Sequence, residues 1–161
     1  MLATALPASA VWYYQELARR IGPDRMHDYL NRFAYGNRDI SGGIYQLRLT
    51  GAARISANEQ VEFLRRFHEG ELGVSDRSTQ IVKELLVLET GTGWTLSGKT
   101  GWAGLGESDA PDIGWLVGYV ERGSDVYVYA LNIDIRENSD AARRLGIARA
   151  ILRHLDLIGD S

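Results

Sequence analysis

The sequence contains no cysteine and only three prolines in 161 residues. The first absence removes disulfides and thiolate chemistry. It does not fix a compartment, because a cysteine-free chain folds in oxidising and reducing surroundings alike. No apolar run approaches the roughly 20 residues that a membrane-spanning helix needs. There is no block of charge of one sign, and the net charge is only −3. Together these disfavour a membrane span and a nucleic-acid footprint. What remains is globular material, 45% hydrophobic and 24% charged, with 18 glycines. Disorder and collagen-like or mucin-like repeats are excluded. The length suits one domain that buries roughly 70% of its unfolded surface.

The amino end, MLATALPASA, carries an Ala-x-Ala spacing at Ala8 and Ala10. It has no basic start and is interrupted by Pro7, so it reads as lead-in chain and not as a signal peptide. Tyr14, Leu17, Ala18 and Ile21 then repeat at helical spacing up to Gly22-Pro23, and Met26, Tyr29, Leu30 and Phe33 form a second stripe. A turn-rich stretch covers Tyr35 to Gly43. Ser56 and Glu59 form a capping box that opens a helix through Phe67, closed by Gly70. Ile81, Leu85 and Leu88 mark a fourth helix ending before Thr90-Gly91.

After that point the period changes to two. Trp94–Thr100 alternates as a strand, followed by a glycine-rich connection. Ile113–Glu121 and Val126–Asp134 flank a short turn and predict a hairpin. Ser139 or Asp140 caps a last helix with Leu145, Ala148, Leu152 and Leu155 on its apolar face. The fold class is therefore α+β in one unit, with residues 9–90 mainly helical and 91–161 forming strands and a final helix.

Both faces of the hairpin are apolar, with Ile113, Trp115, Val117 and Tyr119 opposing Leu116 and Val120. Such strands are covered on both sides. Only one helix follows them, and the earlier helices read as a cluster of their own. Val126–Asp134 is also a long edge without charge before its last residue, which native sheets avoid leaving bare. The expectation is a sheet completed by a further segment or a second chain, and hence a large part of a domain and not a whole one.

Gly93-Trp94-Thr95-Leu96-Ser97-Gly98-Lys99-Thr100 satisfies the P-loop pattern. A P-loop needs a strand before its first glycine and a helix starting at its lysine. Here the order is reversed, which leaves nucleotide binding a distant alternative. The three histidines, His27, His68 and His154, have no metal-like spacing. Trp94, Trp102 and Trp115 read as core or pocket-wall residues.

Lys99-Thr100-Gly101 at the end of a strand is also the K-T-G element of serine β-lactamases and penicillin-binding proteins. It follows Ser9-Ala10-Val11 at a helix start and Tyr35-Gly36-Asn37 in the turn-rich loop. In that order, and with flanks such as Asp39-Ile40-Ser41-Gly42-Gly43-Ile44 and Gly114-Trp115-Leu116-Val117-Gly118-Tyr119, the chain resembles class D serine β-lactamases from about Ser9 to its end. The resemblance implies the β-lactamase/transpeptidase-like fold, incomplete at the amino end, with an amino-terminal strand beside the one corresponding to Val126–Asp134.

It also implies roles. Ser9 would relay a proton to the β-lactam nitrogen, and Val11 would wall the lysine pocket. Lys99 would supply positive potential, Thr100 and Gly101 would hold the substrate edge, and the backbone N–H of Trp102 would donate to the oxyanion. Arg144 would bind the substrate carboxylate through its planar fork. Tyr35, Gly36 and Asn37 would shape the adjoining loop.

Two departures from the family pattern stand out. No Ser-x-x-Lys occurs in these 161 residues, so the family's nucleophile and its carbamylated lysine base are not in this sequence, and no other cofactor is implied. Arg48 stands where the family has a tryptophan that steadies the carbamate. The resemblance thus implies the β-lactam-binding half of a periplasmic or secreted hydrolase, inactive alone. A non-catalytic penicillin-binding sensor domain is the alternative.

Overall fold

A computed structural model of the chain describes residues 11–42, 52–104 and 111–159. In chain order the elements are α1 (Val11–Ile21), α2 (Pro23–Arg32), α3 (Ala57–His68), α4 (Asp76–Leu86), β1 (Val87–Gly91), β2 (Trp94–Ala103), β3 (Asp112–Arg122), β4 (Asp125–Ile135) and α5 (Asp140–His154). The class is α+β, as the period change in the sequence predicts.

Local chemistry explains most boundaries. Gly22, at φ 77°, ends α1 in the left-handed region, and Pro23 opens α2, where its fixed φ and missing N–H suit the first turn. The capping box of α3 is complete. The Ser56 hydroxyl accepts from the Glu59 N–H at 3.2 Å, and the Glu59 carboxylate accepts from the Ser56 N–H at 2.7 Å. The Ser56 N–H, joined by the Ser56 hydroxyl donating to the same carboxylate at 2.8 Å, lowers the Glu59 carboxyl pKa. At α5 neither of the two expected caps, Ser139 or Asp140, bonds the N–H groups of the first helical turn. The Ser139 side chain makes no cap bond to the helix. The Asp140 carboxylate instead accepts from the N–H groups of Arg136 and Glu137 at 3.1 and 3.2 Å, which lowers its pKa.

Three further expectations are corrected. Leu88 lies in β1 and not in a helix, because α4 stops at Leu86 and the chain passes straight into an extended strand. Strand β2 continues through Gly101 and Trp102 to Ala103, so the glycine-rich connection begins later than its composition predicts. Leu155 lies just past the end of α5 and is 57% exposed, whereas Ala148 and Leu152 are buried.

The strands form one antiparallel sheet in the order β1-β2-β3-β4. On one face Tyr119 packs with Leu64 and Phe67 of α3, Leu72, and Leu86 of α4. On the other, Trp94, Leu96 and Val120 pack with Leu152 of α5 and Ile158. Leu96, Leu116, Tyr119 and Val120 have no exposed surface, each burial being worth roughly 1.5–3 kcal/mol. The two-sided apolar hairpin is therefore covered on both faces within this chain, by α3 and α4 on one side and α5 on the other. The reading of the early helices as a separate cluster is overturned. Among the described residues β4 has no strand on its outer side, and Val126 and Tyr127 stay 39% and 40% exposed.

Gly98, Gly118 and Tyr129 stand in register across β2, β3 and β4. The two bare positions let the Tyr129 ring lie across the sheet, its hydroxyl donating to the Ser97 carbonyl at 3.0 Å. Burial pushes that phenol's pKa up. A Cβ on Gly118 would stand 2.0 Å from the Ser97 oxygen.

Two substitutions test these supports. Gly118→Ala forces β2 and β3 apart and is expected to cost about 3 kcal/mol or more in urea unfolding, with loss of the Tyr129 near-ultraviolet signal. An unchanged midpoint would refute the close approach. Ser56→Ala removes only the cap hydroxyl, and the same measurement should show a loss of about 1 kcal/mol.

Candidate active site

Strand β1 pairs with β2 only from Trp94 to Ser97. From Gly98 to Ala103, β2 is paired with β3 on one side and has no strand on the other among the described residues. In an antiparallel ladder, successive residues turn their main-chain groups alternately to one neighbour and to the other. The Ser97 carbonyl lies against Gly118 of β3, which sets the phase. Lys99 and Gly101 therefore address β3, while Gly98, Thr100 and Trp102 present their N–H and C=O groups to the open edge.

The side chains add charge to that edge. Lys99 is opposite Val117, which packs on the α3/α4 side, so the lysine leaves the sheet on that face. Its ammonium turns to the strand end, donating to the Thr100 carbonyl at 2.8 Å and lying 3.4 Å from the Thr100 hydroxyl. Arg144 arrives from α5. Its Nε donates to the Ala141 carbonyl at 2.7 Å, and its Nη1 donates to the Gly101 carbonyl and, at 3.4 Å, to that of Trp115. No carboxylate among the described residues pairs with it. Partial burial lowers its pKa, as desolvation of a cation must. Two cations and a hydroxyl thus lie around the end of β2, Lys99 and Thr100 along its open part and Arg144 on the α5 side against the Gly101 and Trp115 carbonyls, a pattern that suits an anionic, extended ligand.

The Tyr35-Gly36-Asn37 turn follows α2. Gly36 sits at φ 51° with its Cα so close to Arg54 that a Cβ would stand 2.0 Å from the Arg54 carbonyl oxygen. Asn37 clasps the far end of the intervening segment. Its Nδ2 donates to the Ala52 carbonyl at 2.8 Å, its Oδ1 accepts from the Arg54 N–H at 2.9 Å, and its own N–H donates to the Arg54 carbonyl at 2.9 Å. Tyr35 packs edge-on against Phe63 of α3, centroids 4.9 Å apart. Each contact fixes the base of a loop.

Of the sequence-predicted residues, Lys99, Thr100, Gly101, Trp102 and Arg144 come together. Ser9 and Arg48 lie outside the described residues. Val11 opens α1, and its side chain lies outside them too. The P-loop alternative fails on geometry. Gly93 is in the turn between β1 and β2, and Lys99 and Thr100 are inside a strand with no helix following, so no helix N-terminus faces a phosphate. Among the described residues no cluster of histidine and carboxylate side chains could hold a metal ion, and no helix is long and apolar enough to cross a membrane.

Sequence reading missed Asp112. Its Oδ2 accepts a hydrogen bond from the Trp102 indole Nε1 at 2.7 Å. The two residues are ten apart, across a connection whose register the sequence does not reveal. A hairpin reading that began at Asp112 instead of Ile113 would have placed them near each other.

Comparison with known proteins places the chain in a family. Residues 1–153 match the penicillin binding protein transpeptidase domain. The chain is 41% identical over 158 residues to β-lactamase OXA-10 of Pseudomonas aeruginosa, covering 98% of this chain and 59% of that protein. It is 40% identical over 157 residues to β-lactamase OXA-48 of Klebsiella pneumoniae, covering 98% and 58%. Among solved structures, the class D β-lactamase YbXI from Nostoc superposes with a TM-score of 0.91 at 42% identity, covering 98% of this chain and 65% of that one. FUS-1 (OXA-85), a class D β-lactamase from Fusobacterium nucleatum subsp. polymorphum, gives 0.92 at 34%, covering 98% and 64%. The chain spans less than two thirds of the length of each of these relatives. It belongs to the penicillin binding protein transpeptidase domain family, and its homologues there, at about 40% identity, are class D β-lactamases.

Proposed function

We propose that this chain carries the β-lactam-binding half of class D β-lactamase chemistry. The observation that supports this reading most is the end of β2, where Lys99, Thr100 and the outward N–H of Trp102 lie along the open edge and Arg144, which pairs with no carboxylate among the described residues, reaches Gly101 from α5. A β-lactam antibiotic carries an anionic carboxylate beside a strained amide. Its carboxylate would lie between the Thr100 hydroxyl and the Arg144 guanidinium, with Lys99 supplying potential. Its amide carbonyl would point at the Trp102 N–H, which gains most as negative charge develops on oxygen.

Acyl transfer then requires a serine hydroxyl that attacks the carbonyl carbon while the ring C–N bond breaks and the nitrogen takes a proton. Ser9 would relay that proton. The nucleophile and its basic lysine come from chain outside these 161 residues, since no Ser-x-x-Lys is among them. This half alone binds without hydrolysing. The open outer edge of β4, with Val126 and Tyr127 exposed, would receive the strand that such a segment or a second chain brings. A periplasmic or secreted location accompanies the reading.

The test is nitrocefin turnover with and without a supplied upstream segment containing Ser-x-x-Lys. Hydrolysis only in the mixture is the expected result. Stable acylation without turnover in the mixture would replace hydrolysis by a penicillin-sensing role, a result that Arg48 in place of a carbamate-steadying tryptophan would favour. Absence of both acylation and hydrolysis would sink the reading. In titrations of benzylpenicillin into the chain alone, Arg144→Ala should weaken binding at least about tenfold, as removal of a charged hydrogen-bonding partner does.

A further inference from the structure

We propose that Asp112 is a positioning residue for the end of β2, holding the Trp102 main-chain N–H toward the open edge through the Trp102 indole. Trp102 is the last residue but one of β2. Its main-chain groups face the open edge, so the residue makes no ladder bond of its own to β3, and the strand ends one residue later at Ala103. Gly104, at φ 110°, then leaves the sheet. Strand ends with unpaired peptides fray unless another contact fixes them.

The side chain supplies that contact. The indole Nε1 donates to Asp112 Oδ2 at 2.7 Å, at the short end of the range for charge-assisted hydrogen bonds. Asp112 is itself well anchored. It stands opposite Ile135 in the β3–β4 ladder, and Ile135 is 4% exposed. Its second carboxylate oxygen lies over Gly104, where a Cβ would stand 2.5 Å from it. Glycine at that position leaves room for the carboxylate against the stem of the connection. Core strand, carboxylate, indole and peptide thus form one chain of contacts that ends at the proposed oxyanion donor. The consequence for catalysis rests on the β-lactam reading above, whereas the mechanical coupling does not.

The experiment separates the two. Nitrogen-15 relaxation on the full 161-residue chain should give the Trp102 amide an order parameter near that of rigid backbone, about 0.85, falling below about 0.6 in Asp112→Ala. The indole N–H should exchange about tenfold faster in that variant. Amides of Leu96 and Val120 in the sheet core serve as the folding control and should not change. Asp112→Asn, which keeps an acceptor oxygen, should restore most of the order. Trp102→Phe should reproduce the loss at residue 102, and the double variant should add nothing to it. An unaltered Trp102 amide in Asp112→Ala, or an equal loss of order at Leu96 and Val120, would overturn the proposal. Benzylpenicillin added to the unsubstituted chain reads the other question. If the Trp102 resonance does not move while the coupling to Asp112 holds, the substrate reading fails and the positioning role stands.

Discussion

Strand β2 is ten residues long and β1 only five, and this mismatch creates the site. The cause is the junction between α4 and β1. Leu86 closes the helix and Val87 opens the strand with no loop between them, so pairing with β2 stops where the chain turns into the helix. Past Ser97, the main-chain groups of β2 on that side meet no other strand among the described residues, and the Lys99 ammonium takes the Thr100 carbonyl. A strand edge is a directional array of donors and acceptors at fixed spacing. It can align an extended amide before any side chain acts. Lys99 and Arg144 add positive potential around the end of that array, and Thr100 adds a hydroxyl.

The array is useful only if it is stiff, and the packing beneath it is built for that. Strand β3 is sandwiched, with Tyr119 against α3 and α4 and with Val120 against α5. The Gly98–Gly118 pair brings two backbones close and seats Tyr129 across them, tying β4 to the Ser97 carbonyl by a bond that spans β3. Ser97 is the last residue of β2 with a strand on each side, so this tie lies directly behind the point at which the edge opens. Arg144 reinforces the same region from α5 by donating to Gly101 and Trp115, one carbonyl on each of two adjacent strands.

Much of this was legible in the sequence, and the failures have physical reasons. The capping box, the Gly22-Pro23 break and the hairpin were readable because each is set by residues within a few positions of one another. Leu88 was misassigned because Ile81, Leu85 and Leu88 keep helical spacing across a boundary set by sheet pairing, which is not local. Neither Ser139 nor Asp140 caps α5, because the path of the preceding chain turns both side chains to residues 136 and 137. The faces of the sheet were read correctly as two-sided, but which helices cover them depends on how the chain returns over the sheet. Lys99, Thr100 and Arg144 were nominated by motif and resemblance. That the end of β2 lacks a second strand neighbour among the described residues follows from strand lengths, and the Trp102–Asp112 bond from a register, neither of which a motif contains.

The outer side of β4 and the open part of β2 are chemically opposite, and the contrast bears on what each accepts. From Val126 to Ile133, β4 carries no charge and exposes Val126 and Tyr127. Its complement is an uncharged strand, which gains both ladder bonds and buried apolar area by adding there. The open part of β2 has Lys99 and Thr100 along it and Arg144 behind it. A neutral strand docking there would have to desolvate those cations without compensation, a cost that cationic edges use to discourage strand addition. An anionic ligand offsets that same desolvation by charge-assisted hydrogen bonds. An added strand is therefore favoured on the β4 side and an anion on the β2 side, because the charges that attract an anion also disfavour a neutral strand.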